Sequence, residues 1–440
     1  MSSIQKTKRT KHKTKKVTKK VTKKQTKNLI SKTKLSREHI ISNKLLENYD
    51  KTYIITDETN IKERDINFTP LKQILENKYG LTDDKGIIGK NITEMDTYLT
   101  NPVFIFFKDT LEDISRKNKL KKLYNIHTFI FNSLNGITNI AYKNLLYFNM
   151  LNLNKEFTNK HMSRTIYLKT DTKFQNGIYI ARPIEILWGT QIQRGGKDIV
   201  IYNDYKGFSK AKQLLKKYKT VIISNYIINP LLFNGLKFHF RTYFIPSIVN
   251  GHFKVYYLDI CPIYTAKLPY RQKDYYNADI HDTHLKSTAK DYFFTKSKYY
   301  FRKDNLDIFH NDLNKENIGN KIDKIDNIDK IDDIWKQIEN ILHNVSRILS
   351  KDVSLYDNIK NGFYIFSADY MLSRNENENT NNVILLEVNH QTGIDFRNET
   401  IKLEFDKHLF KLIDETVIEP SITGSFRKSK KSYSYPCVFE

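Results

Sequence analysis

The apolar positions of this chain follow two rhythms, one of period two and one near 3.6. Toward the C-terminus, Val383-Ile384-Leu385-Leu386-Glu387-Val388-Asn389 is a short β-branched run that reads as a strand. Phe363-Tyr364-Ile365-Phe366-Ser367-Ala368-Asp369 reads as a second strand, also ending in an acid, and the Asn-rich residues 374–382 read as the turn between them. Alternation puts Glu387 and Asn389 on one strand face and Leu386 and Val388 on the other. Lys237 to Phe244 alternates too: Phe238, Phe240 and Phe244 face a core, while Lys237, His239 and Arg241 share the opposite face. Further strands are expected at Gly177–Arg182, Ile199–Tyr202, Thr220–Ile228 (stopped by Pro230) and 253–259. Helical spacing governs Lys143–Leu153, a basic helix over Phe208–Tyr218, and a stripe of Ile334, Ile338, Ile341, Leu342, Val345, Ile348 and Leu349 that reads as core. Val103–Phe107 and His127–Phe131 read as strands with a basic-faced helix over 111–125 between them, and this alternation predicts a small α/β unit.

A hairpin of the two C-terminal strands would gather Asp369, Glu387 and Asn389 at one rim. Two carboxylates and an amide oxygen make a hard oxygen site suited to Mg²⁺ carrying nucleotide phosphates; the alternative is two strands that merely end in polar residues. Lys237, His239 and Arg241 on one face form either an anion site or a solvated strand face. The stretch with Gly189, Gly195 and Gly196 lies between two strands and could fold over phosphates, or be a plain loop; it matches neither the P-loop nor the dinucleotide fingerprint.

Charge adds a partner class. The chain carries a formal +24, and residues 1–28 hold twelve Lys or Arg and no acid, which leaves about half the excess on the body. A basic body favours acidic partners: nucleic acid, an anionic surface or an acidic polypeptide. The Lys/Thr repeats of 1–28 are expected to be disordered, either as a solubilising arm or as a nuclear-targeting or nucleic-acid segment. The Ile-Asp-Lys/Asn pattern within 303–333 reads as a flexible insertion, and the last twenty residues as poorly ordered. Only two cysteines are present, Cys261 and Cys437, which implies no disulfide framework and fits a reducing compartment. No apolar run approaches the length of a membrane span.

Several segments then fall in the order seen in one family. Asn132 with Ile137-Thr138 and Lys143-Asn144-Leu145-Leu146 resembles "NHFP…ITRKD-L", and Arg164-Thr165-Ile166-Tyr167-Leu168 resembles "P-x-T-Y-x-L". Ile180-Ala181-Arg182-Pro183 resembles "I-V-K-P". Tyr226 to Leu232 followed by Lys237-Phe238-His239-Phe240-Arg241 resembles "YI-x-x-PLL…KFD-x-R". Pro269-Tyr270 resembles "PY", His284-Leu285-Lys286-Ser287 resembles "HLTN", and Asp369 with Leu386-Glu387-Val388-Asn389 resembles "D-F…LEVN". Over residues 127–396 the chain resembles the tubulin-tyrosine-ligase-like amino-acid ligases, as a divergent member.

The resemblance implies an α/β fold of the ATP-grasp type. It implies a lid-like domain over 176–235 and a C-terminal domain over 236–418, preceded by the tail (1–28), an uncertain extension (29–100) and an N-terminal α/β domain (101–175), and followed by a basic tail (419–440). It implies ATP and Mg²⁺ as cofactors, with Asp369, Glu387 and Asn389 holding the metal. Arg182 and Lys237 would meet the phosphates, and Tyr226 and Ile227 would meet the adenine through their backbone. Arg241, with Lys237, would act on the transferring phosphoryl group. The reaction implied is ligation of a free amino acid to a protein carboxylate through an acylphosphate, the acceptor being an acidic protein such as a tubulin tail, in the cytoplasm or, from the basic tail, the nucleus. Several positions depart from the pattern: Arg182 stands for a lysine, His239 for an aspartate, Tyr264 for an arginine and Ser287 for an asparagine; Ser224-Asn225 replaces Gln-Lys, and no proline follows Asn389. These changes leave a second expectation open, a catalytically degenerate module that binds microtubules or nucleic acid.

Overall fold

The structure is a computed structural model that describes residues 52–56, 69–80, 82–83, 104–107, 134, 136–184, 198–271, 273–275, 277–283, 292–295, 328–355, 361–375, 380–390, 399–423 and 437–439. Its strands are β1 (Thr52–Thr56), β2 (Thr82–Asp83), β3 (Phe104–Phe107), β4 (Thr165–Tyr167), β5 (Tyr179–Pro183), β6 (Val200–Tyr202), β7 (Val221–Asn225), β8 (Leu232–Phe233), β9 (Leu236–Val249), β10 (His252–Tyr257), β11 (Ile260–Pro269), β12 (Tyr292–Thr295), β13 (Gly362–Phe363), β14 (Phe366–Asn375), β15 (Thr380–Asn389) and β16 (Cys437–Phe439). Its helices are α1 (Thr69–Tyr79), α2 (Thr138–Ala141), α3 (Lys143–Leu153), α4 (Lys155–His161), α5 (Tyr205–Lys217), α6 (Ala278–His281), α7 (Ile328–Asp352), α8 (Glu399–Ile413) and α9 (Glu419–Thr423), the last two joined by a π-helical turn over Asp414–Ile418. This is a mixed α/β architecture.

Strand β9 is the spine of the larger sheet. Along one edge it pairs with β11 and then β10, and along the other with β8, β14 and β13, all antiparallel. Two Asn-Gly turns set its ends. Asn234-Gly235 joins β8 to β9 and Asn250-Gly251 joins β9 to β10, with all four residues at positive φ. Two consecutive left-handed residues make the tight hairpin whose twist matches that of the strands, and Asn and Gly are the residues that adopt it most readily. A separate sheet of order β4-β7-β5-β6 is antiparallel throughout, and β1 pairs in parallel with both β2 and β3.

The spine buries both faces. One face carries Phe238, Phe240 and Phe244 into a cluster with Trp335, Ile338, Ile341, Leu342, Val345 and Leu349 of α7 and with Leu146 and Met150 of α3. The other carries Tyr243 and Ile245 into a cluster with Leu71 and Leu75 of α1 and with Phe405, Leu409 and Ile413 of α8. The aliphatic stripe read from Ile334 to Leu349 is buried throughout. Strand β3 and helix α3 lie where the apolar pattern puts them.

Several expectations shift. The turn read over 374–382 is shorter, because β14 continues to Asn375 and β15 starts at Thr380; cross-strand pairing outweighs the weak strand preference of their Asn residues. The run Phe363–Asp369 is not one strand, since Tyr364 and Ile365 separate β13 from β14. Strand β7 stops at Asn225, three residues before the expected Ile228. Helix α7 begins at Ile328, inside the stretch read as a flexible insertion. The last twenty residues are also not uniformly loose: α9 is helical and β16 pairs with β10, where Phe439 packs 5.6 Å from Phe253. Residues 1–28, the helix read over 111–125, the strand at His127–Phe131 and the glycine stretch at 189–196 lie outside the described residues.

Candidate active site

Three adjacent strands bring the acids and one cation into a row. Arg241 on β9 stands opposite Asp369 on β14, and Asp369 stands opposite Glu387 on β15. Arg241 grips Asp369 with two parallel hydrogen bonds, Nε to Oδ1 at 2.6 Å and Nη2 to Oδ2 at 2.8 Å. Burial works against the Arg241 charge, but Asp369 outweighs it and holds the guanidinium above its ordinary range.

The row depends on a bulge. Asp369 pairs with Glu387 and Tyr370 with Leu385, so Leu386 is an extra residue with no partner opposite. Val383 and Leu385 lie in the α7 cluster, as does Val388. Strict alternation from Leu385 would therefore send Glu387 into that apolar cluster as well. The bulge resets the parity, and Glu387 emerges on the face of Asp369. Asn389 donates to both acids, at 3.1 Å to Asp369 Oδ2 and 3.2 Å to Glu387 Oε1.

Lys143, at the start of α3, closes the other end with its Nζ 2.7 Å from Glu387 Oε2. Burial lowers its pKa, Glu387 opposes that, and Arg182 lowers it further. Lys143 lies within a segment that resembles the family, where the sequence alone gives it no role. The signal available was a lysine at the first turn of a helix adjoining the resemblance, and only the packing of α3 beside β15 turns it toward Glu387.

Behind this row lie Lys237 and Arg182. Lys237 is only 6 % exposed, so the solvated-face reading of the β9 cations does not hold. Its Nζ donates to the Tyr226 hydroxyl at 2.7 Å and sits 4.4 Å from that ring's centre. Burial, then Arg182, push its pKa down to about 7, while Asp282 opposes the shift. Burial likewise lowers Arg182, opposed by Glu387, Tyr226 and Asp282. Neither cation has a carboxylate within ion-pair distance among the described residues. His239 is fully buried instead of solvated: its Nδ1 lies 2.5 Å from Thr283 Oγ1 and its ring stacks on Tyr264 at 4.9 Å. Arg241 also lies over the Tyr264 ring, 5.3 Å from its centre. Two positions that depart from the family pattern, His239 and Tyr264, are therefore cross-strand partners in contact.

Tyr226 and Ile227 follow the end of β7, and the Tyr226 amide donates to Ile178 O at 2.9 Å. A cavity of about 520 Å³ lies beside this segment, lined by Ile227, Ile228, Met162 and Ile384 with Arg164 and Asn225 among its polar walls. Of the residues nominated from sequence, the structure brings Arg241, Asp369, Glu387 and Asn389 into direct contact. Lys237 joins Tyr226, Arg182 acts on both Lys143 and Lys237 through its charge, and Ile227 lines the cavity. His284–Ser287 lies outside the described residues.

The donor set bears on a metal. Among the described residues no group of three His, Cys, Asp or Glu side chains converges, because the third ligand candidate here is an amide. Asp369 and Glu387 are hard oxygen donors held together by one Asn389 amide. Turning that amide by half a rotation would present its oxygen in place of its nitrogen. The chemistry of the set fits Mg²⁺.

Comparison with known families decides the kinship. Residues 120–401, well over half the chain, match the tubulin-tyrosine ligase family. The chain belongs to that family. A comparison with curated protein sequences finds no match. Membership in the tubulin-tyrosine ligase family points to a ligase-like activity in general and is consistent with use of ATP and Mg²⁺. Among the described residues no helix is long and apolar enough to cross a membrane.

Proposed function

We infer that this protein is an ATP- and Mg²⁺-dependent ligase of the ATP-grasp type that joins a free amino acid to a carboxylate of an acidic protein, a tubulin-like tail being the acceptor class. One observation supports this most: Lys237, buried, and Arg182, half-buried, are two basic groups without a carboxylate partner among the described residues, near a row of two acids and an amide. Burial disfavours the positive charge of such groups unless an anion arrives, and a nucleotide's phosphates supply one.

When bound, Mg²⁺ would supply positive charge that neutralises the phosphates. Asp369, Glu387 and Asn389 are the residues to hold it. Lys143, beside Glu387, and the Lys237–Arg182 pair offset the charge of the phosphates from two sides. Arg241 is positioned to stabilise the transferring phosphoryl group once its grip on Asp369 loosens, because a planar fork can serve a phosphate as well as a carboxylate. An oxygen of the acceptor carboxylate would attack the γ-phosphorus of ATP, breaking its bond to the bridging oxygen, to give an acylphosphate and ADP. The amine of the amino acid would then attack that carbonyl and release phosphate. Ile227 and the cavity beside it are the candidates for the base.

Mg²⁺-dependent ATP binding measured by calorimetry tests this reading, with Asp369→Asn and Glu387→Gln as controls. Binding that disappears in both variants supports it, and no heat at millimolar ATP overturns it. A second reading, a family fold that binds acidic partners without turnover, is favoured by the closed Arg241–Asp369 pair and by the His239–Tyr264 exchange. Full ATP affinity with no phosphate release in the presence of any acidic acceptor would favour it.

A further inference from the structure

The buried chain behind the cations has a direction that the hydrogen-bond chemistry fixes. His281 Nε2 lies 2.8 Å from the Asp274 carbonyl, which only accepts, so Nε2 carries the hydrogen. In the neutral ring Nδ1 is then bare, and it accepts from the Tyr226 hydroxyl at 2.7 Å. The Tyr226 oxygen in turn accepts from Lys237 Nζ at 2.7 Å. If His281 gained a proton, both ring nitrogens would donate. The Tyr226 hydrogen would then have to turn away from Nδ1, toward a neutral Lys237 amine or the Tyr270 hydroxyl. A charge on Lys237 thus disfavours a second charge on His281 in this chain.

We propose that Lys237, Tyr226 and His281 form a proton-linked anion clamp, in which the phosphates of a bound nucleotide fix one proton on Lys237 while His281, as a positioning residue, keeps the Tyr226 hydroxyl accepting from it. This rests on the nucleotide reading above and deepens it. The groups facing the clamp all bear on where the proton sits. Arg182 of β5 disfavours the Lys237 charge and Asp282, just after α6, favours it. Tyr270 and Tyr275 face Tyr226 from the segment between β11 and α6. Burial and Lys237 keep His281 below its ordinary range, with Asp274 opposing. Empty, the clamp leaves Lys237 poised near neutrality, and a phosphate beside it would restore the charge. Nucleotide binding then takes up a proton.

The test is calorimetry of ADP with Mg²⁺ in buffers of different ionisation enthalpy, between pH 7.5 and 9, where the nucleotide itself no longer titrates. The expected result is uptake of up to one proton per nucleotide, with affinity falling by at most about tenfold per pH unit in that range. Binding with no proton uptake at any pH overturns the clamp and leaves the nucleotide site standing. No binding at all overturns the nucleotide reading itself. His281→Leu removes the acceptor, frees the Tyr226 hydrogen to turn toward the Lys237 amine and shifts the affinity profile to lower pH. His281→Asn, which restores an acceptor near Nδ1, should move it back. Leu and Asn variants with the same unshifted profile as the wild type would remove His281 from the clamp. The wild-type buffer series stands even if a variant fails to fold.

Discussion

Arg241 and Asp369 show how much of the site is held by one pair. Asp369 is fully buried, and truncating either partner strands a charge in the sheet. Arg241→Ala is expected to destabilise the fold by about 3–5 kcal/mol, measured by urea denaturation, because the remaining carboxylate loses its compensation. Lys237 makes a different statement. Its pKa sits at about 7 in the fold against an ordinary 10.5, so between those values the unfolded chain binds the proton and the folded chain does not. Stability from this group therefore rises as pH climbs from 7 toward 10, and it is lowest below 7, where the buried charge is present in the fold. Lys237→Met should flatten that part of the stability profile without ligand, and an unchanged slope would show that Lys237 is not the titrating group. The two thiols should also part company. Cys261 is buried and its thiol pushed up by burial, whereas Cys437 is exposed. A thiol reagent is expected to label one cysteine rapidly in the native protein and the second only on unfolding.

At the level of elements, the bulge in β15 is the device on which the acid row depends. Deleting Leu386 removes the extra residue, so that Glu387 follows Leu385 directly and still stands opposite Asp369, on the face away from Val383 and Leu385. Retained Mg²⁺-dependent nucleotide binding is the expected outcome, because the facing of Glu387 is kept. A deletion variant that loses binding would show that the facing of Glu387 alone does not set the site. The bulge was not readable from the residues, since an extra residue in a strand of Val, Ile and Leu leaves no mark on the apolar pattern. The Asn-Gly pairs at 234–235 and 250–251 do leave a local mark, as residues that favour a tight hairpin turn, and they bracket the longest strand of the sheet. Helix α5 behaves as its pattern says. It buries Phe208, Ala211 and Leu214, begins at an Asp204 cap that accepts from Gly207 N, and leaves its lysines outward.

Over the whole molecule, charge and sheet topology act separately. About half of the net charge of +24 sits in residues 1–28. Deleting that segment should weaken binding to a polyanion such as heparin and flatten its salt dependence, with nucleotide binding unaffected. Affinity and salt slope that ignore the deletion would place polyanion contact on the body. The two apolar clusters on either face of β9 tie distant parts of the chain together. Lys78 and Tyr79 of α1 meet Asp414 of the π-helical turn at 2.7 and 2.6 Å, across more than three hundred residues. No local signal marks such contacts, because they are made only after both helices have docked on the sheet.

The residues alone carried the strand and helix periods, the face shared by Lys237, His239 and Arg241, the acid-ended strands and the order of segments that resembles the family. These follow from side-chain alternation and local preference, which act over a few neighbours. Tertiary structure decided which nominated groups meet. It brought Lys143 onto Glu387, joined Lys237 to Tyr226 and His281, stacked His239 on Tyr264, and turned Glu387 out of the core through one unpaired residue. Those outcomes depend on strand register and on packing between elements far apart in the chain, where a shift of one residue exchanges the buried and the open face.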